Sequence, residues 1–224
     1  MRNSMKKITY LFALLAISCA TTAGSYDDFF RAVISDNPGT VRSLIDRGFD
    51  PNTVNEKKQT GLILALREPS PKVAKVLIES PKTDVSAVNG SDESPLMMAA
   101  LKGEQEFVTL LLARDAAVNK TGWAPLHYAA TSGQLTIMKQ LLDKSAFIDA
   151  QSPNGTTPLM MAASYGTPEA VKLLIEAGAD IGMRNQKGMS ALDFAQRAER
   201  QNSVELLQTA LRWKLRGGAP RGQW

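Results

Sequence analysis

Six segments of this chain share one pattern and start at residues 27, 60, 94, 124, 157 and 190, at intervals of 33, 34, 30, 33 and 33. The clearest copies are Ser94-Pro95-Leu96-Met97-Met98-Ala99-Ala100, Ala124-Pro125-Leu126-His127-Tyr128-Ala129-Ala130 and Thr157-Pro158-Leu159-Met160-Met161-Ala162-Ala163. Thr60-Gly61-Leu62-Ile63-Leu64-Ala65 and Ser190-Ala191-Leu192-Asp193-Phe194-Ala195 are weaker copies, and Asp27 to Ala32 fits the same frame. Such a period constrains the chain more than its 224 residues or its 44% hydrophobic content. A unit this small cannot cover its own apolar face, so each must stack on its neighbours.

The residues of one unit explain themselves. Thr157 caps a helix through its hydroxyl, and Pro158 takes the first helical position, where its missing N–H costs nothing. Leu159 and Ala162 fall on one face, the small alanine letting a neighbouring helix approach. Gly166 breaks that helix and Pro168 starts the next, with Val171, Leu174 and Ile175 at helical spacing. Gly178 ends it in the left-handed conformation, and Asn154-Gly155 turns the finger that leads into a repeat.

Over about residues 26 to 212 the pattern resembles the ankyrin repeat, whose signature is Thr-Pro-Leu-His-x-Ala. The resemblance implies an all-α solenoid of about six helix-turn-helix repeats with short β-hairpin fingers. It gives His127 a structural role, pinning neighbouring backbone. It also implies partner binding on finger tips and first-helix ends: Glu56, Lys57, Gln59 and Arg67 in repeat two, and Ser91, Glu93, Leu101 and Lys102 in repeat three. Trp123, Thr131, Ser132, Asn154, Thr156, Ser164, Tyr165, Lys187, Met189 and Arg197 follow in repeats four to six. Two departures stand out: Ser80-Pro81-Lys82-Thr83 replaces a helix-ending Gly-Ala, so that loop should bulge. The finger at Asn119-Lys120-Thr121-Gly122 is three residues short, which should leave a notch beside Trp123.

Arg2, Lys6 and Lys7 precede an apolar run from Ile8 to Ala20, too short to span a bilayer, followed by small residues. This pattern predicts a signal peptide over 1–23, cut after Ala23, with Ala20 the alternative. Cys19 is the residue a lipid anchor would use, but the leucine usual three residues before it is absent. The repeat domain is expected over 24–212 and a flexible basic tail over 213–224. Without the three N-terminal cations the formal charge falls from +4 to +1, which removes the case for a nucleic-acid partner.

His127 is the one histidine and Cys19 the one cysteine, so Cys/His nucleophile pairs, Ser/His/Asp triads and zinc sites are not expected. No cofactor is expected. The paired methionines, Met97-Met98 and Met160-Met161, each place one residue in the core and leave the other to be half-exposed. The expected function is a non-enzymatic, monomeric protein-binding module of the bacterial periplasm that regulates, protects or neutralises a protein partner. An effector secreted to bind a host protein is the alternative.

Overall fold

A computed structural model describes residues 24–215; the expected signal peptide with Cys19, and residues 216–224 of the expected tail, lie outside the described residues. The chain divides into two compact units after Asp84, where the sequence alone predicts one repeat domain. The first unit holds helices α1 (24–34), α2 (Pro38–Asp46), α3 (Gly61–Arg67) and α4 (Pro71–Glu79). The second holds α5 (Pro95–Lys102), α6 (Gln105–Ala113), α7 (Pro125–Thr131), α8 (Leu135–Asp143), α9 (Pro158–Tyr165), α10 (Pro168–Glu176), α11 (Ala191–Arg197) and α12 (Gln201–Leu215).

In the second unit α5, α7, α9 and α11 lie side by side as one row, and α6, α8, α10 and α12 pack behind them. The apolar stripes read from the sequence fill the space between: Leu96, Leu126, Leu159, Val171, Leu174 and Ile175 are at most 1% exposed. Proline opens α5, α7, α9 and α10, and the Thr157 hydroxyl accepts from the Met160 N–H as anticipated. Helix α4 is capped differently. Ser70 makes no side-chain cap, and Asp36 of the preceding repeat accepts from the Val73 N–H at 2.9 Å.

The signature histidine has substitutes. His127 Nδ1 accepts the Ala124 N–H at 3.1 Å, and in the equivalent places Met97 sulfur accepts from Ser94 N (3.2 Å) and Met160 sulfur from Thr157 N (3.4 Å). Asp193 Oδ2 does the same for Ser190 N. Methionine therefore keeps the turn closed while adding an apolar side chain to the core. Met98 is buried as well as Met97, against the expectation of a half-exposed partner, whereas Met161 is half-buried as expected.

The fingers are turns closed by single backbone bonds such as Asn89 N to Glu93 O and Asn185 N to Met189 O; among the described residues only Val54 and Thr60 pair as a β-bridge. In place of the expected bulge, the Ser80–Thr83 loop is tied back to the first repeat. Lys82 Nζ donates to Ile45 O (3.2 Å), and Asn52 Nδ2 donates to Lys82 O (2.9 Å). Helix α12 runs three residues into the expected flexible tail, with Lys214 paired to Asp180 at 2.8 Å.

Candidate functional site

Three fingers of ordinary length are each built around one acceptor, while in a fourth Ser152 and Asn154 share the Thr156 N–H. Asn55 Oδ1 receives the N–H groups of Lys57 and Gln59, Asn89 those of Ser91 and Glu93, and Asn185 those of Lys187 and Met189. The shortened finger lacks this device: Asn119 bonds the outer loop as Asn52 does in the first repeat, accepting from Phe147 N and donating to Ser145 O. Lys120 closes the finger in its place. Its ammonium pairs with Asp92 and reaches the Thr121 and Trp123 carbonyls at 3.0 and 3.5 Å. A shallow hollow lies at this finger, lined by Asp92, Lys120, Thr121, Gly122, Gln151, Ser152 and Pro153, and Trp123, beside which a notch was expected, is not in its lining.

Trp123 is half-buried, its ring edge-on to His127 at 5.2 Å and to Tyr128 at 6.5 Å. It packs on α7 and at the same time forms one wall of a depression of about 530 Å3. Tyr165, 60% exposed at the end of α9, lines the same depression. So do Asn154, Thr156, Ser164, Lys187, Met189 and Arg197, all named from the sequence. Thr156 is only 2% exposed and serves as floor, not as a contact surface. Ten of the predicted residues are not in the lining, among them Glu56, Lys57, Gln59 and Arg67 of repeat two and Ser91 and Glu93 of repeat three. Leu101 and Lys102 are exposed on the last turn of α5, while Thr131 and Ser132 direct their hydroxyls to the His127 and Tyr128 carbonyls of their own helix. In the first unit Gln59 is buried, its backbone and side chain both bonded to Asn55.

Sequence reasoning missed Met161 and Phe194, which complete the apolar wall. The signal was available: Met98, Tyr128, Met161 and Phe194 occupy one position of the repeat, and the last two line the depression. Tyr128 bonds to Glu93 at 3.5 Å, and burial, reinforced by that carboxylate, pushes its pKa up to about 12, so it stays a donor.

The depression is held by His127, which is fully buried. With Nδ1 accepting from Ala124, Nε2–H donates to Thr156 O of the next finger at 3.0 Å, and the ring is neutral. Burial lowers its pKa from the ordinary 6.5, outweighing the backbone bonds that raise it. Unfolded chains therefore take up this proton first. Stability is complete above pH 6.5 and is lost as pH falls toward the folded-state value, by up to about 1.4 kcal/mol per pH unit. Urea midpoints at pH 7.5 and 5.0 are expected to show this fall in the native protein and to lose it in His127→Gln. Equal pH dependence in the two proteins would remove His127 from the account.

In the second unit, paired helices joined by fingers, with a depression of mixed aromatic, thioether and cationic lining set on fingers and first helices, define a repeat protein of the binding class. Residues 74–152 and 145–211 match the family described as ankyrin repeats in three copies, and the chain belongs to that family. It is 32% identical to Ankyrin repeat and SAM domain-containing protein 6 of Rattus norvegicus over 111 residues, 48% of this chain and 12% of that protein. It is also 32% identical to the B-cell lymphoma 3 protein homolog of Mus musculus over 133 residues, 56% of this chain and 30% of that one. The chain thus spans well under two thirds of these relatives. Among solved structures it is similar to a chain from a complex of a predatory endopeptidase of Bdellovibrio bacteriovorus with an immunity protein. There the TM-score is 0.70 and the identity 26%, covering 81% of this chain and 97% of that one.

Proposed function

We propose that this protein is a non-enzymatic periplasmic binding protein that holds one protein partner on the Trp123–Tyr165 depression and protects or restrains it. The observation that carries the reading is the depression itself: Trp123, Met161, Tyr165, Met189 and Phe194 converge on one solvent-open hollow. Partly exposed aromatic and thioether groups of this kind are the anchors that dominate protein interfaces. Similarity to a chain from an endopeptidase–immunity protein complex supports a partner that is itself an enzyme. Export rests on Arg2, Lys6, Lys7 and the apolar run from Ile8 to Ala20. Among the described residues no helix is long and apolar enough to cross a membrane.

Protein recovered from the periplasmic fraction is expected, by intact mass, to begin at Gly24 without lipid, and it then serves as bait for envelope proteins. Trp123→Ala and Tyr165→Ala are each expected to weaken retention of the partner roughly thirtyfold. Lys172→Ala, on the outer face of α10, should retain it. The denaturant midpoint of Tyr165→Ala should shift little, since surface changes usually alter stability by less than about 0.5 kcal/mol, whereas Trp123→Ala also removes ring packing on α7 and should shift further. Retention lost in Tyr165→Ala only in parallel with stability, or equal loss of retention in Lys172→Ala, would reject the depression as the site.

A further inference from the structure

The lining of the depression is one-sided in charge. Lys187 stands on the last finger and Arg197 at the end of α11, and neither an aspartate nor a glutamate is among the lining residues. Asp193, the acidic residue of α11, is turned away: its carboxylate takes the Ser190 N–H and hydroxyl at 2.7 Å each and Arg184 at 3.3 Å. Among the described residues the Arg197 guanidinium has only the Met189 thioether as an acceptor, at 3.2 Å, and the Lys187 ammonium has none. Arginine carries five donors in a planar fork matched to a carboxylate, and a thioether is a weak acceptor. Two cations therefore flank an apolar wall with their strong hydrogen-bonding capacity unspent.

We infer that the occupant of the depression is an acidic, apolar segment of the partner, in which side-chain carboxylates reach Lys187 and Arg197 while a neighbouring leucine or aromatic side chain packs between Trp123, Met161 and Tyr165. The inference rests on the docking reading above and names its partner's chemistry. Charge complementarity selects against basic segments by placing like charges together, and against neutral ones by leaving two cations partly desolvated without an acceptor. The aromatic wall supplies the affinity and the cations supply the selection.

The test uses the whole mature chain and three pools of fluorescent peptides, capped at both ends, that share leucine and phenylalanine positions but carry glutamate, glutamine or lysine between them. The glutamate pool is expected to bind about tenfold or more tighter than the glutamine pool. That preference should shrink between 50 and 500 mM salt, because the cations are solvent-exposed. Lys187→Gln combined with Arg197→Gln should abolish the preference, whereas Trp123→Ala should weaken every pool that binds. Equal binding of the glutamate and glutamine pools, preference for lysine, or binding of no pool would overturn the acidic occupant. The bait experiment separates this from failure of the docking reading. A partner lost from Trp123→Ala but kept by the double charge variant leaves docking standing and the acidic occupant wrong; a partner kept by both removes the site altogether.

Discussion

Leu159→Ala is expected to lower the stability of this protein by about 2–5 kcal/mol, the cost of the lost transfer energy together with the cavity left behind. Leu159 is 1% exposed in α9, the helix that α7 and α11 flank and α10 backs. In a stacked array each interface is shared, so the cavity should loosen the neighbours as well. Circular dichroism in urea measures the midpoint, and amide exchange reports α7, α9 and α11 separately. A midpoint unchanged within error would contradict the stacking; loss of protection confined to α9 would contradict the sharing.

Gly166→Ala should be at least as damaging as most core truncations of one methyl group, costing about 1–3 kcal/mol or more through overpacking. A Cβ at this position would lie 2.4 Å from the Ala130 carbonyl oxygen of α7 and 3.0 Å from the Cα and carbonyl oxygen of Ala162. All three are backbone atoms, which cannot swing aside as a side-chain end can. Arg200 further fixes the turn, its guanidinium donating to the Tyr165 and Gly166 carbonyls at 2.8 and 3.2 Å. Gly178→Ala is the contrast: its Cβ would meet nothing within 4 Å, but its φ of +101° strains any other residue. That variant should lose only about 1 kcal/mol. Equal midpoints for the two variants would show that the α7 contact gives way more easily than its geometry implies.

The contrast between these glycines marks the boundary of what the sequence carries. Gly178 was legible because the need is local: a helix ends, the next residue turns left-handed, and glycine fits. In the neighbouring repeats Asp115 and Ser145 also take a positive φ, +57° and +63°, with no such signal. At Gly166 φ is −77°, a conformation open to any residue, and the requirement comes from a helix 36 residues earlier.

The site divides in the same way. Period, caps and apolar stripes determined the helices and the core position of Leu159, because each depends on residues a few positions apart or on repetition of one unit, and the family resemblance implied the pinning role of His127. The sequence also placed Trp123 on a finger and Tyr165 at a helix end, since these positions follow from the repeat frame. Only the tertiary structure decided that they share one depression with Met161 and Phe194, that Thr156 is its floor, and that Thr131 and Ser132 face their own helix. It alone showed Lys120 replacing the missing finger turn and Asp193 turned from Arg197, leaving that cation to the depression. These outcomes depend on which of several nearby acceptors a long side chain reaches, and that competition is settled by distances across repeats about thirty residues apart, which no local pattern encodes.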